Sequence, residues 1–209
     1  MDERVILGAE CVAEGMAWLA GKDRRMAEAY LRTGPLPLRL KPDGFGALLS
    51  AIVSQQVSVA SARAIWERLV EAGCERPEAV ERLSEDALRA LGLSRQKASY
   101  AKALAEARID YEALRAAPSE DVIKRLVAVK GVGTWTAEIY AMFSLGRADV
   151  FASGDLALQE AARVLYGLKA RPRAREMRDM AEDWAPWRAV AARLLWAYYK
   201  EIKDREGSL

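Results

Sequence analysis

The side chains available for chemistry in this sequence are carboxylates, amines and phenols, because the 209-residue chain contains no histidine. That absence removes the commonest general base, the commonest zinc ligand and every serine–histidine triad. The two cysteines, Cys11 and Cys74, lie far apart in the sequence and are too few to hold an iron–sulfur cluster. Any reaction must therefore depend on Asp, Glu, Lys or Tyr, or on a cofactor held by other groups.

A glycine-rich break between two helical patterns is the first candidate binding site. Residues 121–129 predict an amphipathic helix, Lys130-Gly131-Val132-Gly133 interrupts it, and residues 134–145 begin a second helix. Glycine permits positive φ and leaves no side chain in the way, so backbone N–H groups of the turn can contact a phosphate. Such a contact binds a nucleic-acid backbone without reading its sequence. A plain helix–turn–helix corner explains the same pattern equally well.

Asp155 is the carboxylate whose position is most informative. It follows the loop 149–154 and stands directly before the predicted helix 156–166. This is the place of a helix N-cap, the simplest interpretation of an aspartate there. A capping carboxylate is also a fixed one, and a fixed carboxylate can stabilise positive charge on a sugar or activate water.

The elements that would position these residues are helices. The chain is 52% hydrophobic and 30% charged, and its apolar residues recur at helical spacing, as in residues 77–107. Glycine and proline breaks divide it into about ten helices. The proline-rich segment 34–44 is the best candidate hinge. We therefore predict an all-α protein of two helical lobes, residues 1–40 with 136–209 and residues 41–135.

Charge and hydropathy bear on partners and compartment. The net charge of +2 says little about nucleic acid, but residues 163–178 hold Lys169 and five arginines against a single acid, Glu176. Such a run is as readily a solvated face as a phosphate-facing surface. The apolar runs are too short to span a membrane, and the N-terminal decapeptide is acidic where a secretory signal is basic. We expect a cytoplasmic protein.

Three stretches resemble one family. Residues 126–138 resemble the helix-hairpin-helix of the base-excision DNA glycosylases, in which an essential aspartate follows at the spacing of Asp155. Residues 52–60 and 186–196 resemble two further segments of that family, in the family's order. Together they resemble the AlkA-type branch, the 3-methyladenine DNA glycosylases.

The resemblance implies a role for each candidate residue. Asp155 would be the catalytic carboxylate, and Trp135, Tyr140 and Trp196 would line the pocket for the flipped base. Trp135 stands where bifunctional relatives carry a Schiff-base lysine, which implies an enzyme without lyase activity. The implied DNA-contacting residues are Gln55, Gln56 (as the wedge that fills the gap left by the base), Ser58, Lys130, Gly131, Gly133, Thr134 and Thr136. Without the resemblance, Trp135 could be core and Gln55 and Gln56 polar turn residues.

The resemblance also implies the activity. We expect a monofunctional glycosylase that excises alkylated bases such as 3-methyladenine and 7-methylguanine from double-stranded DNA bound in a cleft between the lobes. Ile139 and Leu156 replace residues that are aromatic in relatives, which leaves open another lesion, such as ethenoadenine or a deaminated or oxidised purine. A non-catalytic DNA-binding module is the other alternative. We expect a monomer without membrane partners, metal or iron–sulfur cluster, with a monovalent cation on the hairpin carbonyls left open, and no N-terminal β domain.

Overall fold

The computed structural model describes residues 3–206, and these residues form an all-α protein, as predicted. Thirteen α-helices and one short 3-10 helix occur in this range. This exceeds the expected number because three of the helices are only six residues long. No strand forms among the described residues, where the only extended pairing is an isolated bridge between Val5 and Arg147. None of the described helices is long and apolar enough to cross a membrane.

The described chain divides into two compact units. The terminal unit joins the residues up to Leu40 to those from Gly146 onward, and the central unit is Lys41–Leu145. The first division falls where the proline-rich segment predicts it. The second lies after residue 145 rather than 135, because helix Thr134–Phe143 packs against Ser119–Val127 and Phe45–Ser54 of the central unit.

The central unit packs its helices around an aliphatic core. Its helices are α3 (Phe45–Ser54), α4 (Val59–Glu71), α5 (Pro77–Arg82), α6 (Glu85–Ala90), α7 (Arg95–Glu106), α8 (Tyr111–Ala116), α9 (Ser119–Val127) and α10 (Thr134–Phe143). Helix α7 contacts α3, α5 and α6, and it buries Ala98, Ala101 and Leu104 against them. The two alanines let the helix backbones approach closely. The loop between α3 and α4 contains Gln56 and is called the wedge loop below. The loop between α9 and α10 contains Gly131 and Gly133 and is called the hairpin.

The terminal unit is organised around one long helix. Its helices are α1 (Ala9–Lys22), α2 (Arg24–Thr33), α11 (Leu156–Tyr166), α12 (Ala174–Ala181) and α13 (Arg188–Glu206), with the 3-10 helix Glu182–Trp184. Helix α13 contacts α1, α2 and α11, and its residues 189–195 are all buried. The N-terminal segment joins the same unit, since Ile6 N–H donates to Gly146 O at 2.7 Å.

A buried guanidinium attaches the proline-rich segment to α13. Arg193 is fully buried, and its Nε and Nη2 donate to the carbonyl of Leu38 at 3.1 and 3.0 Å. Its Nη1 donates to Ala189 O at 2.8 Å. Burial, with a contribution from Arg39, lowers the pKa of Arg193 to about 10. The segment that ends the first part of the terminal unit is therefore fixed at its backbone.

Serine and aspartate side chains set where several helices begin. Ser84 and Ser94 accept the N–H groups of Ala87 and Lys97 at 3.1 and 3.2 Å, so they cap α6 and α7. Asp43 occupies a similar position before α3, but Gly44 is the N-cap of that helix. The Asp43 carboxylate is instead engaged by other side chains of the central unit.

Gly15 tests the close packing of α1 on α13. A Cβ at this position would lie 2.6 Å from Cε3 of Trp187 and 2.8 Å from Cγ2 of Val190. Overpacking of this kind costs about 1–3 kcal/mol, which outweighs the gain of about 0.5–1 kcal/mol from replacing a helical glycine by alanine. We expect Gly15→Ala to lower the melting temperature, measured by circular dichroism.

Gly21 supplies the matched control, because it lies in the same helix and an added methyl group there would have nothing within 4 Å. Gly21→Ala should raise the melting temperature slightly. A Gly15→Ala protein as stable as Gly21→Ala would show that α1 and α13 do not pack as closely as described.

Candidate active site

Asp155 lies at the start of α11 with its carboxylate held in one orientation. Its Oδ1 accepts the backbone N–H groups of Ala157 and Leu158 at 2.9 and 3.0 Å, which confirms the predicted N-cap. The indole Nε1 of Trp196 donates to the same oxygen at 3.2 Å. A carboxylate fixed by N–H donors can face a developing positive charge without first reorganising.

The loop before Asp155 is fixed as well. Ser153 is buried, its carbonyl accepts the side-chain amide of Gln159 at 3.0 Å, and its hydroxyl accepts Nη2 of Arg178 at 3.1 Å. Gly154, in contrast, is exposed and has nothing within 4 Å of a would-be Cβ. The loop is therefore anchored at the buried Ser153, while Gly154, between Ser153 and Asp155, is open to solvent.

Trp196 lines a cavity of about 830 Å³ in the terminal unit. The guanidinium of Arg39, a residue with φ of 57°, lies 5.7 Å from the Trp196 ring centroid and lines the same cavity. The sequence predicted a pocket role for Trp196 through the resemblance, but it gave no signal for the bond to Asp155 or for Arg39. Both depend on α13 lying beside α11, which is a tertiary contact.

The hairpin between α9 and α10 contains two glycines with different requirements. Gly131 has φ of 95°, and a Cβ there would lie 2.3 Å from the Tyr100 ring, so the fold itself demands glycine. Gly133 has φ of −84°, and a Cβ there would have nothing within 4 Å, so the fold does not require glycine at this position. Gly133 and Thr134 are exposed at the start of α10, which no side chain caps. Exposed N–H groups at a helix start suit an anion.

Two of the predicted DNA-contacting residues make contacts within the central unit. Thr136 is only 3% exposed, so its hydroxyl is not at the surface of the unit. Gln55 directs its amide Nε2 at Gly131 O, 3.3 Å away, with Thr136 Oγ1 at 3.5 Å. The burial of Thr136 contradicts direct contact by its hydroxyl, whereas Gln55 is only half-buried and direct contact by its side chain stays a prediction. Thr136 is buried because α10 turns it onto α3, where Gln55 then connects the wedge loop to the hairpin.

The other predicted DNA-contacting side chains lie at the surface. Gln56 is exposed and has φ of 55°, a left-handed conformation that is uncommon outside glycine. Ser58 caps α4 by accepting Ser61 N–H at 3.2 Å. Lys130 is exposed, and its Nζ donates to Ser99 Oγ at 3.1 Å. The strained backbone at Gln56 directs one side chain out of an otherwise capped and bonded loop.

A second cavity, of about 900 Å³, lies within the central unit and is lined by aromatic rings. Trp135 is 43% exposed and lines it, which does not fit a residue buried in the core of the central unit. Ile139 and Tyr140 line it too, but Tyr140 is only 4% exposed. The half-exposed ring of Trp135 is therefore the aromatic group in this cavity most accessible to a flat ligand.

The hydroxyl of Tyr140 is hydrogen-bonded within the central unit. It donates to Asp43 and accepts the backbone N–H of Gly44 at 3.0 Å. Burial, together with the bond to Asp43, raises the pKa of Tyr140 above its ordinary value. Asp43 also pairs with Arg115. Asp43 is thus a cavity-lining carboxylate that the sequence analysis did not select, and no local motif would have identified it.

The basic run lies on the surface of the terminal unit. Lys169, Arg171, Arg173 and Arg175 are exposed around the start of α12, whereas Arg163 pairs with Glu160 at 2.7 Å. The run is thus divided between an ion pair on α11 and an exposed cationic segment. Both of the interpretations offered by the sequence are compatible with this placement.

Comparison with known proteins identifies the family. The HhH-GPD superfamily base excision DNA repair protein model matches residues 49–186. The crystal structure of a DNA-3-methyladenine glycosidase from Bacillus halodurans is 34% identical with a TM-score of 0.81, covering 98% of this chain and 95% of that one.

Two further relatives agree with this assignment. The structure of the 3-methyladenine DNA glycosylase Mag1 of Schizosaccharomyces pombe with abasic DNA is 30% identical, with a TM-score of 0.77 and coverage of 88% and 95%. YfjP of Bacillus subtilis is 30% identical over 77% of this chain, which spans only 60% of that protein's length. The chain belongs to the HhH-GPD superfamily of base excision DNA repair proteins.

Proposed function

We propose that this protein is a monofunctional DNA glycosylase that removes alkylated bases from double-stranded DNA. The observation that carries the proposal is the Asp155 carboxylate, held by backbone N–H groups and the Trp196 indole in a chain without histidine. The names of the relatives, DNA-3-methyladenine glycosidase and glycosylase, support alkylated purines as the substrate class.

The proposed reaction is hydrolysis of the N-glycosidic bond. The bond between C1′ and the base nitrogen breaks, and its electron pair leaves with the base. The Asp155 carboxylate stabilises the positive charge that develops on the sugar. Water adds its oxygen to C1′ and loses a proton, leaving an abasic site. A base methylated at N3 or N7 is already cationic, so it departs as a neutral molecule and requires no acid.

The central unit would supply the DNA contacts. The exposed backbone at Gly133 and Thr134 suits a phosphate, and Lys130 is exposed in the same turn. The exposed Gln56 would enter the stack where a base has left. The Mag1 complex with abasic DNA supports DNA as the partner. An exposed Trp135 can stack on any base and gains cation–π attraction for a cationic one.

We further propose that the reaction uses no redox or organic cofactor and that the enzyme acts as a monomer. Hydrolysis needs only water and a carboxylate, and two cysteines are too few for an iron–sulfur cluster. A monovalent cation on the hairpin would share the Gly131 carbonyl with the amide of Gln55.

Asp155→Asn tests the catalytic assignment. The amide keeps an oxygen acceptor for the cap but loses the negative charge, so we expect base release from methylated duplex DNA to fall at least about 100-fold while DNA binding persists. The measurement is chromatographic quantitation of 3-methyladenine and 7-methylguanine. Asp23→Asn is the control, since Asp23 caps α2 through the same pair of backbone N–H positions.

Normal turnover by Asp155→Asn would refute the catalytic role of Asp155. A wild-type protein that releases neither base would direct the assay to duplexes with ethenoadenine, hypoxanthine or oxidised purines. Binding without release from any of these would favour the non-catalytic module.

The tryptophan at position 135 predicts the absence of lyase activity. Trp135 has no amine with which to form a Schiff base, so the DNA strand should stay intact until alkali cleaves the abasic site. We expect no covalent protein–DNA adduct after borohydride treatment, measured by denaturing gel electrophoresis. A trapped adduct would indicate that another amine of the chain attacks C1′.

Gly133→Ala tests the phosphate contact of the hairpin. Because the fold leaves space for a methyl group here, the protein should fold normally, with only a small fall in melting temperature from replacing the glycine N-cap of α10. The methyl group would separate the backbone from a bound phosphate, so we expect affinity for duplex DNA to fall about fivefold or more. Affinity is measured by fluorescence anisotropy at several salt concentrations. Gly21→Ala, in the terminal unit, should leave affinity unchanged, and equal affinity of the two variants would contradict the hairpin assignment.

A further inference from the structure

Lys97 makes a pair of short hydrogen bonds at the wedge loop. It lies in the first turn of α7, and its Nζ donates to the carbonyls of Val53 and Gln55 at 2.7 and 2.6 Å. Burial lowers the pKa of Lys97 from its ordinary value. The two carbonyls belong to the last turn and the C-cap of α3, where helix carbonyls lack an intrahelical partner and carry the negative end of the helix dipole.

The loop is anchored on both sides of its strained residue. Lys97 holds the carbonyl of Gln55, and Ser58 begins the next helix as its N-cap. Only Gln56 and Val57 lie between these anchors, and both are exposed. Gln56 has φ of 55°, a conformation that non-glycine residues keep only when their surroundings impose it. The ammonium of Lys97 can help to impose it, since it bonds the adjoining carbonyl.

We propose that Lys97 is a positioning residue for the wedge. Its part-buried ammonium fixes the end of α3 so that Gln56 projects from the loop before DNA binds. The entropy of ordering the loop is then not lost on binding, which strengthens the complex with a duplex that has a vacated base position. The inference rests on the proposed function, because it assumes that Gln56 fills the gap left by a flipped base.

Lys102 provides a matched comparison on the same helix. Its Nζ donates to the carbonyls of Val80 and Glu81 at 3.2 and 2.8 Å, at the end of α5. It therefore makes the same kind of contact as Lys97, also part-buried, but at a helix end that carries no candidate site residue. If both lysines only stabilise the fold, loss of either ammonium should change loop exchange and DNA affinity to a similar extent. If Lys97 positions the wedge, only its loss should change the exchange of the wedge loop and the affinity for DNA.

The test compares Lys97→Met with Lys102→Met in the full chain. Methionine keeps an unbranched apolar stem and cannot donate. We expect Lys97→Met to raise amide hydrogen exchange in residues 54–58 about tenfold, and to weaken binding to a duplex with a tetrahydrofuran abasic-site analogue about tenfold. Affinity for the undamaged duplex should change less than about twofold, because phosphate contacts at the hairpin remain. Lys102→Met should leave all three quantities near wild type.

A double-mutant cycle separates positioning from general stability. If Lys97 acts through the wedge, Lys97→Met should add less than about a twofold loss of abasic-duplex affinity to a Gln56→Ala protein. Lys97→Arg, which keeps a charged donor, should retain affinity within about threefold of wild type. This variant, with Gln56→Ala, keeps the proposal testable if Lys97→Met fails to fold.

The outcomes distinguish this inference from the proposed function. Unchanged exchange in residues 54–58, equal effects of the two lysine variants, or additive losses in the cycle would each overturn the role of Lys97. Failure of wild type to release any altered base would count against the proposed function. Hydrogen exchange and affinity for the abasic duplex would still test the positioning role of Lys97.

Discussion

A single carboxylate oxygen constrains the terminal unit. Oδ1 of Asp155 accepts the first N–H groups of α11 and the indole of Trp196, so α11 and α13 must meet at this atom. Helix α13 is in turn attached to the proline-rich segment, since Arg193 donates to the carbonyl of Leu38. The orientation of one candidate catalytic group therefore follows from the packing of the unit's longest helix. A substitution far from Asp155 that tilts α13 would move Trp196 and loosen the carboxylate.

The two glycines of the hairpin differ in whether the fold of the central unit requires them. Gly131 is needed by the chain itself, because its positive φ and the Tyr100 ring exclude a side chain. Gly133 meets neither condition, and a corner that only joined two helices would tolerate alanine there. An external group that approaches the backbone closely gives glycine at this position a physical reason. The pair of glycines thus argues for a phosphate contact more strongly than the Gly-x-Gly spacing alone.

Local sequence patterns predicted the fold, the Asp155 cap and the family, but they could not predict side-chain contacts that depend on tertiary packing. Apolar spacing predicted the all-α fold, the helix boundary predicted the Asp155 cap, and the order of motifs predicted the family, all of which are confirmed. The burial of Thr136 and the bond of Gln55 to the hairpin could not be predicted, because both depend on α3 packing against α10. The same holds for the Tyr140 bond to Asp43, whose partners are far apart in sequence. The unit boundary near residue 145 likewise follows from packing rather than from a glycine break.

The chemistry of the Lys97 contact has an electrostatic consequence that a neutral clamp would not have. An amide or hydroxyl could donate to the α3 carbonyls, but it would add no charge. A carboxylate partner would satisfy the ammonium and cancel its charge. The carbonyls of Val53 and Gln55 satisfy the ammonium while carrying only partial charge, so the contact needs no carboxylate beside the loop. A lysine thus makes charge-assisted hydrogen bonds to the loop without placing a negative charge where a polyanion would approach.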